Sequence, residues 1–251
     1  MERKTLHKFS LGLVIVVVLS LLGLNPHSAL AGDTDDDEIP LIAPIRTSSE
    51  GQTYGRWAAE WWQWVLGIPA VVNPLTDTTG EDCAQRQVDA VWFLAGSPSS
   101  DPVVRNCEIP AGKSLFFPLI NNFFGAFLND PPGQRTEAFV REQGSCTEPA
   151  QISVQIDNFN VPRPLRFFTG ASGSQSPIFN VQLPPGNVFG VDETIVPELV
   201  LSPSAEQGYY LFVRPLSRGS HTIQWMASGC VPGLSQDITY HVTIVGDGPN
   251  H

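Results

Sequence analysis

From Tyr54 to Pro69 the chain reads Tyr-Gly-Arg-Trp-Ala-Ala-Glu-Trp-Trp-Gln-Trp-Val-Leu-Gly-Ile-Pro, and its apolar positions recur with the period of a helix. At about 100° per residue, Tyr54, Trp57, Trp61, Trp64, Val65 and Ile68 share one broad face. Trp62, Leu66, Ala58 and Ala59 cover most of the remainder, and the polar Arg56, Glu60 and Gln63 form one narrow stripe. Thr53 is placed to cap this helix, and Gly67 followed by Pro69 ends it. A helix apolar nearly all round is either buried on both sides or holds an aromatic surface open for something else.

Beyond Pro69 the pattern changes. Runs of β-branched and aromatic residues are separated by Pro, Gly, Asn and Ser, and predict strands over 88–94, 114–119, 152–156, 165–169, 178–181, 209–214, 221–226 and 238–245. Ile152-Ser-Val-Gln-Ile and Ile238-Thr-Tyr-His-Val-Thr-Ile alternate as strands with one wet face do. A short helix is expected near 135–143. Eight short strands in a chain with 22 prolines predict an all-β fold, a mainly antiparallel β-sandwich of jelly-roll or Ig-like type. The N-terminal Trp-rich helix would pack on one of its sheets. The expected organisation is a single sandwich domain over 53–251, preceded by a flexible acidic leader over 32–52.

The first 31 residues read differently. Arg3, Lys4 and Lys8 form a basic start, Leu11 to Leu24 is an almost unbroken apolar run, and Ala29-Leu-Ala31 is a small-x-small cleavage pattern. The run is shorter than the roughly 20 residues that span a bilayer, so a cleaved secretory signal is expected, with no membrane insertion afterwards. The protein would then work in the periplasm or outside the cell. Losing Arg3, Lys4, Lys8 and Glu2 leaves 11 Lys and Arg against 24 Asp and Glu, a net charge of −13. Such a chain is repelled by phosphate backbones and anionic lipid, which argues against nucleic-acid partners. The four cysteines all follow the signal, and the expected pairing is Cys83 with Cys107 and Cys146 with Cys230. Their spacing matches no zinc site, and neither a metal nor a cofactor is expected.

Three blocks resemble a family of uncharacterised secreted bacterial proteins. The first is W-x-x-x-W-W-x-W running into Pro69 and Asn73-Pro-Leu-Thr-Asp77. The second holds Gly80, Cys83, Gln87 and Val91-Trp-Phe-Leu-Ala-Gly96. The third is Arg105-Asn-Cys107-Glu-Ile-Pro110-Ala-Gly112-Lys113 with Leu115-Phe-Phe-Pro118 and Asn121-Asn122. The stretch from Pro215-Leu216 through Gly219-Ser-His221-Thr-Ile223 to Asp237-Ile-Thr-Tyr240 resembles it too. The resemblance implies export and carries no activity with it.

Cys107-Glu-Ile-Pro-Ala-Gly-Lys113-Ser114 ends like a phosphate-binding loop, but it lacks the first glycine and precedes a strand. His221 and His241 lie on the last two predicted strands, which would pair as a hairpin and bring them near each other. Trp61, Trp62 and Trp64 are candidates for stacking on sugar rings, with Arg105 as a further binding residue, and core packing is the competing expectation. Glu60, Asp77 and Lys113 are the candidate catalytic groups, an acid, a base and a cation if their blocks converge. Lys113 is otherwise expected to pair with Glu60, Asp77 or Glu108. The leading expectation is an exported, non-catalytic β-sandwich with a binding or envelope-structural role, its partner a glycan or small molecule. The alternative is a secreted, glycan-active hydrolase with Glu60 and Asp77 in a Trp-lined cleft.

Overall fold

The computed structural model describes residues 39–87, 90–170 and 174–246; the expected secretory signal and the acidic cluster at 33–38 lie outside the described residues. Helix α1 (Tyr54–Leu66) forms where the apolar periodicity places it, with the Thr53 hydroxyl accepting from the Arg56 N–H and Gly67 closing the last turn. After it come β1 (Val91–Phe93), β2 (Val103–Pro110), β3 (Ser114–Phe127) and the short α2 (Glu137–Gln143). Then follow β4 (Glu148–Ile156), β5 (Phe159–Asn160), β6 (Phe179–Gln182), β7 (Val200–Val213), β8 (Gly219–Cys230) and β9 (Ser235–Val245). The strands form two sheets, ordered β1-β3-β7-β6 and β2-β9-β8-β4-β5. β1–β3 and β2–β9 run parallel and the other pairs antiparallel.

The elements stack in three layers. Tyr54 of α1 lies against Phe116 and Phe212 on one face of the four-stranded sheet, while Phe117 on the opposite face meets Trp225 of the five-stranded sheet. The four-stranded sheet is therefore covered on both sides, which explains the unbroken apolar runs of β3 and of the end of β7. β2, β8 and β9 alternate buried and exposed positions because only their inner face meets the core. All of the expected strands but 165–169 are recovered, with β3 and β7 much longer than their apolar runs; β2 and the two-residue β5 were not foreseen.

β7 outruns its neighbour β6, and three segments cover that edge in turn. β6 pairs with Val200 to Ser204, Phe168 bridges Tyr209, and Ile42 bridges Val213. Residues 165–169 are thus no regular strand: a 3-10 turn at Pro164–Arg166 leads into the bridge at Phe168. The flexible leader expected over 32–52 is corrected for its described part, 39–52. Ile39, Ile42 and Ala43 are buried, the Ala43 N–H donates to the Phe212 carbonyl at 2.9 Å, and Tyr54 Oη donates to the Ala43 carbonyl at 2.7 Å. An open strand edge and three apolar side chains are sufficient to order this segment.

Both expected disulfides are present, with Cα–Cα distances of 6.0 Å for Cys83–Cys107 and 4.3 Å for Cys146–Cys230. They belong to an oxidising compartment. No helix among the described residues is long and apolar enough to cross a membrane. The bridges span 24 and 84 residues, so the second restricts the unfolded chain more. Chain-entropy scaling puts the difference at about 1 kcal/mol. The paired replacement Cys146→Ala with Cys230→Ala is expected to cost more stability in urea than Cys83→Ala with Cys107→Ala; the reverse order would show that local packing outweighs loop closure.

Candidate functional site

The tryptophans of α1 point inward. Trp61 is 1% exposed and donates through Nε1 to the Leu94 carbonyl at 2.9 Å, and Trp64 donates to the Gln85 carbonyl at 2.9 Å. Trp62 is half-buried, stacked on Phe123 at 4.6 Å, with its Nε1 3.2 Å from the Tyr210 hydroxyl. The sugar-stacking role expected of Trp61, Trp62 and Trp64 is corrected accordingly. Their indole N–H groups are used within the fold; Trp61 and Trp64 are buried, and the half-buried Trp62 has one ring face stacked on Phe123.

Arg105 does not reach for a ligand either. It sits on β2 facing the core, 1% exposed, and Nη1 donates to the carbonyls of Ala95 at 2.7 Å and Gly96 at 2.9 Å and to the Tyr240 hydroxyl at 2.8 Å. Its Nε donates to the Asp77 carbonyl at 2.7 Å. The guanidinium clamps two loops onto β2 and β9. The Asp77 carboxylate accepts from the Thr79 N–H and hydroxyl at 2.7 and 2.8 Å, the Gly80 N–H at 2.8 Å and the Asp82 N–H at 3.0 Å. Burial raises its pKa, but those donors outweigh burial and hold it below the usual carboxylate range. A carboxylate kept ionised and fully answered is a loop staple, poorly suited to proton transfer. Gly80 permits the turn: its φ is +95°, and a Cβ there would stand 2.1 Å from the Asn106 carbonyl oxygen.

Glu60 is half-buried on α1, and Lys113 is half-buried in the turn between β2 and β3. The structure joins Asp77 to Arg105 through a main-chain carbonyl. None of the clefts described below is lined by Glu60, Asp77, Arg105 or Lys113.

The clefts lie elsewhere. Three open on the outer face of the five-stranded sheet. One of about 340 Å³ is lined by Asn106, Glu108, Asp157, His221 and His241 among others; the next, about 410 Å³, shares Asp157 and Thr222 with it and adds Gln155, Asn158 and Gln224. A third of about 380 Å³ continues along β4 and β8 past Gln151, Ser153, Met226 and Ser228. Strand register sets Asn106, His241 and Thr222 side by side in one row. A fourth cleft, about 480 Å³, lies between the end of α1 and β6.

No protein-family model and no curated protein matches this chain. Among solved structures it is similar to the cysteine protease inhibitor EhICP2 from Entamoeba histolytica, at 13% identity over 62% of this chain and 96% of that one. The TM-score is 0.22, too slight a likeness to bear on fold or function.

As expected, His221 and His241 fall on paired strands, with His241 opposite Thr222. His221 Nδ1 stands 2.7 Å from Asp157 Oδ2, and its Nε2 is 2.8 Å from the Ser217 carbonyl oxygen and 3.4 Å from Ser217 Oγ. The set has the composition of a Ser-His-Asp triad but not its function. A carbonyl oxygen only accepts, so Nε2 carries a proton and has no lone pair for Ser217. Burial lowers the His221 pKa, but Asp157 and the Ser217 carbonyl outweigh it and the net shift is upward. Burial raises Asp157, and His221 with the Thr222 N–H turns that into a net lowering. The ion pair is therefore lost as pH falls through the lowered Asp157 pKa or rises through the raised His221 pKa. Asp157 is well exposed, so the pair contributes only about 0–1 kcal/mol.

Sequence reasoning missed Glu206, the only buried carboxylate among the described residues, at 4% exposure. Its Oε2 accepts from Tyr210 at 2.7 Å and faces Thr169 Oγ1 at 3.4 Å; the Tyr210 hydroxyl in turn receives Asn121 at 2.9 Å. One signal was present. Glu206 has the same strand parity as Tyr210 and Phe212, which face α1, so a β7 extended backwards points it inward.

Proposed function

We propose that this is an exported, non-catalytic β-sandwich protein whose outer sheet face binds a neutral glycan. One observation carries the reading: the contiguous clefts across β2, β9, β8 and β4 are lined mainly by amide and hydroxyl side chains and by no lysine or arginine. Such groups exchange hydrogen bonds with sugar hydroxyls without an ionic partner. Glu108 and Asp157 at one end, and the acidic balance of the chain, disfavour anionic polymers. The non-catalytic part of the reading is supported by Asp77, Arg105 and His221, which spend their hydrogen-bonding capacity on the protein itself. The hydrolase alternative would need Glu60 and Asp77 to face one cleft, and neither lines any of the clefts described above. Export is supported by the two disulfides and by the basic-apolar start of the chain.

The test is the melting temperature of the folded protein with neutral and with uronic-acid polysaccharides, since a ligand of the native state raises it. A neutral chain is expected to raise it and an acidic one to leave it unchanged. Gln224→Arg, on the exposed face of β8, is expected to remove that shift while leaving the unliganded melting temperature nearly as it was. The reading fails if no neutral glycan stabilises the protein, or if Gln224→Arg responds as the wild type does.

A further inference from the structure

Glu206 stands on the α1-facing side of β7, beneath three peripheral pieces of the fold. Residues 167–169 pair along the edge of β7, the Thr169 N–H donating to the Gly208 carbonyl and the Tyr210 N–H to the Phe167 carbonyl. Residues 174–176 lie so close to α1 that a Cβ on Gly55 would meet their backbone at 2.4 Å. Helix α2 is tied to the same stretch by Arg141, whose Nη1 donates to the Ser176 carbonyl at 3.2 Å.

The hydrogen bonds of this carboxyl are lopsided. Its donors converge on Oε2, while Oε1 and the Ser176 hydroxyl are both buried and neither closes a hydrogen bond. Ser176 lies near the carboxyl, yet falls short of bonding geometry. Its hydroxyl can donate to an ionised Oε1 or accept from a protonated one, so by itself it fits either form. An ionised Glu206 would be a charge in a dry site with no arginine, lysine or histidine among the described residues bonded to it, which is costly, whereas a protonated one carries no charge to desolvate. We infer that Glu206 is a proton-controlled latch: protonated, it holds residues 167–169, residues 174–176 and α2 against β7, and ionised, it loosens them.

The charged and titratable groups facing Glu206 are few. Tyr210 of β7 donates to it, and Arg141 of α2 acts on it from a distance while its Nε holds the exposed Glu137 at 2.8 Å. The other packed elements present neutral groups: Thr169 and Ser176 beside the carboxyl, and Asn121 of β3 and Trp62 of α1 on the Tyr210 hydroxyl. Burial pushes the Glu206 pKa up to about 7, against the lowering influence of Tyr210, Ser176, Thr169 and Arg141. The docked state thus binds the proton more tightly than an opened state with the ordinary carboxyl pKa of 4.5. Docking is strongest below that ordinary value, weakens as pH rises to about 7, and is level above it, a change of about three hundredfold in the docking equilibrium.

Hydrogen exchange on the full folded protein at pH 5.5 and pH 8, corrected for intrinsic rates, reads the latch directly. Peptides covering residues 167–169 and α2 are expected to exchange at least tenfold faster at pH 8, while peptides from β8 stay unchanged. Glu206→Gln keeps the shape without the charge and is expected to remain protected at both values. Equal corrected protection in the wild type at the two pH values, or a pH response that survives Glu206→Gln, would overturn the proposal. Should Glu206→Gln not fold, Tyr210→Phe deletes a donor that favours the ionised form. The midpoint of the wild-type response must then move to higher pH, and an unmoved midpoint rules the latch out.

Discussion

Arg105→Met is expected to be among the most damaging single substitutions in the fold. The methionine keeps much of the apolar stem but returns nothing to the carbonyls of Gly96 and Asp77, while the Tyr240 hydroxyl loses one of its two donors and keeps the Ala95 N–H at 3.1 Å. The Ala95 carbonyl keeps Tyr240 as a donor at 2.9 Å. Each buried acceptor left bare costs about 1–3 kcal/mol, and the relief of no longer desolvating a guanidinium offsets only part, so a net loss on the order of 4 kcal/mol is expected. The guanidinium also lies 5.4 Å from the Tyr240 ring centroid, a contact methionine replaces weakly. Urea unfolding measures the loss. Arg105→Lys keeps the charge with fewer and differently placed donors and is expected to fall between the two. Arg105→Met within 1 kcal/mol of wild type would mean that the two loops hold themselves in place.

Trp61→Ala carries the second large effect. The indole is 1% exposed, wedged between Trp62 at 5.0 Å and Trp64 at 6.1 Å, and bonded to Leu94 across the core. Emptying an indole-sized site costs about 3–5 kcal/mol, and in a domain of this size that lowers the melting temperature by roughly 10 °C. Trp62→Ala is expected to cost less, because its ring is only half-buried. A melting temperature within a degree or two of wild type for Trp61→Ala would show that the site refills, and the buried-keystone account of α1 would have to be given up.

Helix α1 and the strands β8 and β9 were legible in the sequence because their periodicity states both the element and the buried side. Thr53 and Gly67 bound α1 as capping chemistry requires, and β9 repeats the alternation written in Ile238-Thr-Tyr-His-Val-Thr-Ile. The disulfide pairing was legible too. What escaped shares one cause. β2 turns Val103, Arg105, Cys107 and Ile109 inward, and a guanidinium in that series hides the alternation. The first half of β7 is hidden the same way by Glu206. A charged residue reads as surface until its partners are known, and those partners arrive from far along the chain: Ala95, Gly96 and Tyr240 for Arg105, Thr169 for Glu206. The same holds for the candidate site. Residue type alone suggested Glu60, Asp77, Arg105, Lys113 and the tryptophans, whereas three of the four clefts lie on the outer sheet face, assembled from β2, β4, β8 and β9. The sequence by itself determined helix α1, the strands whose apolar positions keep a local period, and the apolar faces that must be covered, since those follow from local period and burial. The tertiary structure alone decided which polar groups turn inward and which polar face remains open to solvent, because hydrogen-bond satisfaction is settled between residues that only folding brings together.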